Sequence, residues 1–363
     1  YTYDASGSML TMTAGKTTPS GSGKTTTYIY DHQNRLATLT DALGQAETYT
    51  YDKNGNLTAK ADRNGNTTLT TYDGLNRPTL VQVRKADQTM ADEYVQTVYN
   101  LNGTKASESN ETAAVAYTYD SLGRMLTETS TSGALTEQKV YTYTPTNLVA
   151  SLALTVDGTP YGLTGYDYND CGRLTIVTQN STQEAAYTYH PNGARATLTA
   201  GGVTTLYNYT LGGQLEALIN TQDGETLSSF TYTYSANGLQ LTKTEALSGQ
   251  AATTTTYTYD DLGRLLSETA PASFFAPAVN IAYTYDASGN RATMLDSGIL
   301  TTYTYDANNR LTQSMASGNP TNYTYDNNGN VAAISDGATG RVGRGDRTMV
   351  YDPLDRLTST VSL

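Results

Sequence analysis

The 363-residue sequence predicts an all-β protein, built as a continuous array of about 16 antiparallel β-hairpin repeats. Three observations carry this prediction. A Tyr-x-Tyr-Asp motif recurs along the whole chain, a residue that tolerates positive φ follows each copy at a fixed distance, and no linker interrupts the period. A repeat of this length is typical of arrays in which each unit is one supersecondary element that buries its surface only against its neighbours.

The second tyrosine of each copy, which we call the register tyrosine, recurs every 20 to 27 residues. There are 16 copies, and 29 of the 31 tyrosines belong to them, leaving only Tyr94 and Tyr161 outside the repeat. Tyrosine placement is therefore architectural. The register tyrosines are Tyr3, Tyr30, Tyr51, Tyr72, Tyr99, Tyr119, Tyr143, Tyr168, Tyr189, Tyr209, Tyr234, Tyr259, Tyr285, Tyr305, Tyr325 and Tyr351.

A turn, here the YD turn, follows each register tyrosine. The next residue is usually Asp, whose short side chain accepts backbone N–H bonds and starts a type I turn. Four positions after the tyrosine the residue is Gly, Asn or Asp, which best tolerate positive φ. This combination predicts a type I turn closed by a glycine bulge, a common hairpin loop. The residues expected at positive φ are Gly7, Asn34, Gly55, Asn76, Gly103, Gly123, Asn147, Gly172, Gly193, Gly213, Gly238, Gly263, Gly289, Asn309, Gly329 and Asp355.

Many repeats carry a second turn about ten residues after the YD turn, such as "DALG" at 41 to 44, "DRNG" at 62 to 65 and "DSG" at 296 to 298. Two strands per unit follow, so 16 units give roughly 32 strands. Because an open sheet of more than ~10 strands curls, this ribbon is expected to coil into about one turn of a wide spiral with exposed edges.

Composition alone leans toward disorder, because Thr, Ser and Gly are abundant, Leu, Ile, Val and Phe are few, and the net charge is −12. The periodic tyrosines argue against disorder, since each buries a large ring. We expect rings stacked in register on adjacent hairpins to take the place of an aliphatic core.

Seven repeats place an arginine directly after the YD turn. This arginine could pair with the turn Asp or lie over a tyrosine ring, and either contact is structural rather than catalytic. The arginines are Arg35, Arg77, Arg124, Arg173, Arg264, Arg310 and Arg356.

The stretches "YTYDDLGRLLSET", "YTYDASGNRAT", "YTYDANNRLTQ" and "YTYDNNGNVAA" closely resemble the YD repeat of the RHS (rearrangement hotspot) proteins. This repeat also occurs in the C components of insecticidal toxin complexes and in the teneurins. The resemblance covers essentially the full length. It implies a spiral sheet forming part of a hollow shell, which in bacterial members encloses a toxin polypeptide, and a secreted or cell-surface location. The structural repeat residues singled out are Tyr119, Asp120, Gly123, Arg124, Tyr259, Asp260, Gly263, Arg264, Tyr285, Asp286 and Gly289.

Family members that release a toxin usually end in a core-associated segment carrying the aspartates that cut the chain. The nearest text here, "MVYDPLDRLTSTVSL", is another ordinary repeat. We therefore expect residues 1–363 to be a single repeat array excised from a larger protein, and the rest of that protein to be its partner.

The leading functional hypothesis is a non-enzymatic scaffold that encloses or displays a polypeptide such as a toxin. The alternative is a cell-surface adhesin that binds glycans, because aromatic faces stack on sugars. We predict no catalytic residues, cofactor or metal site. "PSGSGKTT" at 19 to 26 lacks the first glycine of a phosphate-binding loop, and the lone Cys171 and the turn histidines His32 and His190, which we expect to be solvated, have no partner motif.

An acidic chain with a pI of about 4.6 argues against nucleic-acid binding, and no apolar run is long enough for a membrane span. One apolar insertion, "APASFFAPAVNIA" at 270 to 282, holds Phe274 and Phe275. Its prolines remove it from the strand pattern. It is expected either to pack on the next repeat or to form a contact loop or plug.

Overall fold

The structure, a computed structural model, describes residues 1–15, 23–272, 276–337 and 346–362, with the side chains of 91–93 left out. These residues form 32 β-strands and no helix, which matches the predicted number of strands. All 32 strands belong to one sheet, so the described part of the chain is an all-β array of antiparallel hairpin repeats.

The strands alternate with short turns along the chain. The first sixteen are β1 Thr2–Tyr3, β2 Met9–Ala14, β3 Lys24–Tyr30, β4 Leu36–Thr40, β5 Ala46–Tyr51, β6 Leu57–Ala61, β7 Thr67–Tyr72, β8 Pro78–Arg84, β9 Met90–Tyr99, β10 Lys105–Ser109, β11 Ala113–Tyr119, β12 Met125–Ser132, β13 Leu135–Tyr143, β14 Val149–Val156, β15 Thr159–Tyr168 and β16 Leu174–Gln179. The others are β17 Thr182–Tyr189, β18 Arg195–Ala200, β19 Val203–Tyr209, β20 Leu215–Gln222, β21 Glu225–Tyr234, β22 Gln240–Leu247, β23 Thr253–Tyr259, β24 Leu265–Ala270, β25 Val279–Tyr285, β26 Arg291–Asp296, β27 Ile299–Tyr305, β28 Leu311–Ala316, β29 Asn319–Tyr325, β30 Val331–Asp336, β31 Arg347–Tyr351 and β32 Leu357–Ser362.

The chain divides into two compact units. Unit 1 contains Tyr1–Val98, Ser109–Glu111 and Tyr283–Leu363, and unit 2 contains Tyr99–Glu108 and Thr112–Ala282. Within each unit every strand pairs antiparallel with the strand next to it in sequence, as β11 does with β12 and β12 with β13. Described strands contact only such neighbours, so no second layer covers either face of the sheet.

The YD hairpin has the predicted turn. In the Tyr119 repeat, the Gly123 N–H donates to the Asp120 carbonyl at 3.0 Å and the Asp120 N–H donates to the Arg124 carbonyl at 2.9 Å. Gly123 has a φ of 79°. All 16 residues expected at positive φ have it, including Asn147 at 65° and Asp355 at 61°. The predicted hairpins are therefore confirmed.

A second irregularity lies beside the register tyrosine. Tyr119 is opposite Met125, but Thr118 is opposite Thr127, so the pairing shifts by one residue between them. The same shift precedes the register tyrosine in the Tyr51, Tyr259 and Tyr325 hairpins. Such bulges bend a strand and change what each side chain faces.

Two classes of second turn recur in the described residues. The turns at 41–44, 62–65 and 85–88 are bulged like the YD turns, with positive φ at the last residue. Six other second turns are tight, with two consecutive residues at positive φ, the pattern of a type I′ turn. The tight turns are 157–158, 180–181, 201–202, 223–224, 297–298 and 317–318.

Few side chains are fully buried, as a single layer requires. Among the described residues, Val83 and Ala185 are the buried hydrophobic ones. Along strand β23 the tyrosines Tyr257 and Tyr259 are half-buried while Thr256 and Thr258 are exposed, so one face is rich in tyrosine and the other in threonine. The array is therefore stabilised by contacts from one hairpin to the next.

Candidate functional site

The candidate functional site is the array of hairpins as a whole. Its repeating unit is the YD turn together with the arginine that follows it. The Asp120 carboxylate accepts the Leu122 and Arg124 backbone N–H groups with Oδ1 and the Arg124 Nε–H at 2.7 Å with Oδ2. Hydrogen bonds from the Arg124 backbone, and then from its side chain, hold the pKa of Asp120 below its usual value. One carboxylate therefore fixes both the turn and the arginine.

The same arginine also stacks on the next repeat. The Arg124 guanidinium lies 4.5 Å from the centre of the Tyr143 ring, and Arg35 and Arg310 lie over Tyr51 and Tyr325 at 4.5 and 4.7 Å. The two contacts proposed from the sequence as alternatives therefore occur together. Such stacking contributes about 0.5–1 kcal/mol at an exposed site.

The register tyrosine makes a second link between repeats. Its hydroxyl donates to a backbone carbonyl of the preceding repeat, 2.6 to 3.2 Å away. Burial raises the pKa of Tyr168 and Tyr234, which favours the protonated, donating hydroxyl. The linked pairs are Tyr30–Met9, Tyr51–Leu36, Tyr72–Leu57, Tyr143–Met125, Tyr168–Val149, Tyr189–Leu174, Tyr234–Leu215, Tyr259–Gln240, Tyr305–Arg291, Tyr325–Leu311 and Tyr351–Val331.

These links change the expected picture of stacked rings. The ring-to-ring contact seen in the described residues joins His190 and Tyr209, edge to face at 5.9 Å. Register tyrosines are mostly joined to their neighbours through hydroxyl, carbonyl and guanidinium groups. The spacing of one strand pair between successive register tyrosines, about 9–10 Å, is too wide for direct stacking.

The opposite face carries paired hydroxyls that the sequence reading missed. The middle threonine of the Tyr-Thr-Tyr motif hydrogen-bonds a Thr or Ser nine residues later, across the hairpin, at 2.6 to 2.7 Å. The i, i+9 spacing in the sequence was the available signal. The pairs are Thr2–Thr11, Thr118–Thr127, Thr142–Ser151, Thr188–Thr197, Thr233–Thr242, Thr258–Ser267 and Thr284–Thr293.

The other structural repeat residues named from the sequence take related positions. Arg264 bonds Asp260 at 2.6 Å, and the Tyr259 hydroxyl bonds the Gln240 carbonyl at 2.7 Å. Asp286 is held by Asn290 instead of an arginine, at 2.9 Å. Gly263 and Gly289 have positive φ, and Tyr285 is half-buried. Phe274 and Phe275 lie outside the described residues, so their proposed contact role stays a prediction.

Three features bear on other site types. His190 is half-buried rather than solvated, because its Nε2 lies 3.0 Å from the Tyr207 carbonyl oxygen. Cys171 is an exposed free thiol. Over the described ranges, no group of three or more His, Cys, Asp or Glu side chains is placed to hold a metal ion, and no helix has the length and apolarity needed to cross a membrane.

A family model matches this array of hairpin repeats along nearly its whole length. The model of the teneurin YD-shell family matches residues 1–143, 141–300 and 298–362. The chain belongs to the teneurin YD-shell family. This membership covers nearly the whole chain and supports a structural scaffold role, and it agrees with the resemblance to RHS and toxin-complex proteins. No curated protein sequence matches the chain.

Solved structures of toxin-complex proteins share the fold of this YD-shell chain. A mutant Tc holotoxin pore of Photorhabdus luminescens has a TM-score of 0.72 at 16% identity, covering 93% of this chain. The TcdB2-TccC3-Cdc42 crystal structure has a TM-score of 0.68 at 15% identity, covering 99%. This chain spans only 19% and 23% of the lengths of those chains.

Proposed function

We propose that this chain forms part of the wall of a shell that encloses or displays another polypeptide, such as a toxin, and that it has no catalytic role of its own. The observation that carries the proposal is the series of links between repeats. Tyrosine hydroxyls and the stacked arginines that the turn carboxylates hold in place join hairpin to hairpin along the array.

A continuous wall with two chemically different faces suits this role. The tyrosine face of β23 is half-buried and the threonine face is exposed, so a polypeptide held on one side meets a different surface from the one presented on the other. The family match gives the glycan-binding alternative no support. We place the protein outside the cell or at its surface, as the family and its relatives suggest.

The proposal can be tested by site-specific photocrosslinking. The sample is the full natural protein in which residues 1–363 occur. A benzophenone amino acid is placed at Tyr257 or, as the matched control on the opposite face, at the adjacent Thr256. Enclosure predicts that one of the two positions captures a polypeptide segment lying outside residues 1–363, while the other does not. Capture from neither position, or equally from both, would contradict enclosure.

A further inference from the structure

In unit 1, hairpin turns from two stretches that are far apart in sequence contact each other. The bulged second turns at 41–44 and 62–65 contact the YD turns at 306–309 and 326–329, more than 260 residues away in sequence. We call these contacts the edge joint. They are made by the turns, while the strands of the two stretches pair only with their own sequence neighbours.

Asn308 makes the most complete contact of the edge joint. Its side-chain Nδ2 donates to Asp41 Oδ2 at 2.7 Å, and its Oδ1 accepts the backbone N–H of Ala42 at 3.1 Å. Asp41 Oδ1 meanwhile caps its own turn by accepting the Leu43 and Gln45 N–H groups, both at 2.9 Å. The Asn308 amide therefore hydrogen-bonds both a carboxylate oxygen and the adjacent backbone N–H of the same turn.

The second contact uses the same chemistry, with the N–H of the third turn residue in place of the second, and adds its reciprocal. Asn328 donates to Asp62 at 2.8 Å and accepts the Asn64 N–H at 3.1 Å. Asn64 in turn donates to Asp326 at 3.0 Å and accepts the Asn327 N–H at 3.0 Å. The two turns thus bind each other by the same amide chemistry.

Two flanking contacts extend the joint in the same order along both stretches. A Cβ at Gly15 would come within 2.3 Å of the Ser288 hydroxyl oxygen, so the backbone there approaches the preceding YD turn closely. At the other end, Lys85 and Asp87 line one cleft together with Asp352 and Pro353. The end of one strand and three successive bulged turns of one stretch are therefore matched in order with four successive YD turns of the other.

Burial of the turn carboxylate makes the edge joint selective for a partner side chain that can hydrogen-bond it. Asp41 is one of the few buried polar residues, with 8% of its surface exposed. A buried carboxylate is costly unless each oxygen has a partner, and Arg63, with its Nε 3.6 Å from Asp41 Oδ2, supplies only part of that. An amide provides a donor and an acceptor side by side, which matches the carboxylate oxygen and N–H of the turn.

The class of a second turn, bulged or tight, matches whether that turn takes part in the edge joint. The three bulged second turns seen in the described ranges, 41–44, 62–65 and 85–88, all lie at the edge joint. In the described part of the chain, the tight second turns show no side-chain hydrogen bond to a YD turn of a distant stretch. We propose that a bulged second turn with a leading Asp is a docking site for the YD turn of another stretch of repeats, recognised by an asparagine at the third turn position.

Amide hydrogen exchange in the full chain at pH 7 tests this recognition, because the Ala42 N–H is donated directly to Asn308. Asn308→Asp places two carboxylates against each other, which we expect to raise the exchange rate of Ala42 by about tenfold or more. Adding Asp41→Asn to the same chain restores a donor opposite the new carboxylate at position 308, so the double variant returns the rate to near that of the parent. Asn192→Asp, the same change at the third position of a YD turn in unit 2, is the matched control and leaves Ala42 unchanged.

The exchange of the Asn309 amide, which bonds the Asp306 carbonyl at 3.1 Å, reports whether the YD turn itself stays folded. Rescue by Asp41→Asn with a protected Asn309 supports docking. Unchanged exchange at Ala42 in Asn308→Asp, or a rise that Asp41→Asn does not reverse, would overturn the proposal.

Discussion

The hydroxyl of Tyr143 donates a hydrogen bond to the backbone carbonyl of Met125, 2.6 Å away in the preceding repeat. Met125 lies beyond the paired part of strands β12 and β13, because that pairing begins at Thr127 and Val140. The two hairpins separate near the YD turns, and the hydroxyl reaches a carbonyl that has no partner on the next strand. This explains why the repeat uses tyrosine and why the chain has 31 tyrosines but only three phenylalanines.

Replacing Tyr143 by Phe removes this bond while keeping the ring under Arg124. We expect the variant to lose about 0.5–1.5 kcal/mol of unfolding free energy, since the Met125 carbonyl is then left without its donor. The midpoint of urea unfolding, followed by near-ultraviolet circular dichroism, measures the loss. Tyr161→Phe is the control, because Tyr161 is outside the repeat and 76% exposed. Equal midpoints for the two variants would refute the structural role of the hydroxyl.

The glycine at the end of the YD turn is required for its backbone conformation and not for space. A Cβ at Gly123 would meet nothing within 4 Å, yet its φ is 79°. Gly123→Ala is therefore expected to destabilise the chain by about 1 kcal/mol through left-handed strain. Gly74 is the matched control, since it has the same open surroundings without positive φ. Gly74→Ala should be neutral or slightly stabilising in the same unfolding measurement.

The hairpins and their turns could be predicted from the sequence because local chemistry determines them. Asp at the first turn position and Gly or Asn at the last, as in Asp120 and Gly123, encode a three-residue loop without reference to the rest of the molecule. The period of the register tyrosines then gives the number of strands. Membership of the YD-shell family followed from the same residues.

The side-chain contacts across a hairpin and between distant hairpins could not be predicted in the same way. The bulge beside Tyr119 shifts Thr118 from Leu126 to Thr127, and only this shift explains the i, i+9 hydroxyl pairs. The contact of Asn308 with Asp41 depends on how two stretches 267 residues apart come together. No spacing in the sequence marks that contact, because asparagine is equally suited to the turn itself, as at Asn192.

Turn carboxylates should make the protein sensitive to acid. Hydrogen bonds from the backbone and side chain of Arg124 and Arg264 hold the pKa values of Asp120 and Asp260 below their ordinary value. A folded-state pKa below the unfolded value contributes stability that is present above about pH 4 and lost as the pH falls through the folded pKa. The urea midpoint should therefore fall steeply below about pH 4.

Asp120→Asn removes one of these groups. It should lower the midpoint at pH 7 and flatten the decline between about pH 4 and 2, because less stability remains to be lost. Asp261→Asn, at the exposed second position of a YD turn, is the control and should keep the parental slope. A variant Asp120→Asn with the parental slope would show that this carboxylate does not contribute.

The Tyr168 repeat has an asparagine where most repeats have the turn Asp, so its arginine lacks a carboxylate at the first position of its own turn. Asn169 Oδ1 caps the turn by accepting the Cys171 and Arg173 N–H groups, so its Nδ2 takes the place of the carboxylate oxygen that holds Arg124 in its own turn. Among the described residues, the Arg173 Nε is buried without a hydrogen-bond partner. Its guanidinium lies 5.1 Å from the Tyr189 ring, farther than Arg124 lies from Tyr143.

Asn169→Asp should therefore stabilise the chain, because it supplies the missing acceptor while keeping both turn N–H bonds. We expect a gain of about 1–3 kcal/mol, the range for a hydrogen bond between charged groups that also satisfies a buried donor. Urea unfolding at pH 7 measures the gain. The same substitution made with Arg173→Gln should give no gain, since the charged partner is then absent. A gain of equal size in both backgrounds would show that the new carboxylate acts on the turn alone and that the Arg173 Nε was not the group in need of a partner.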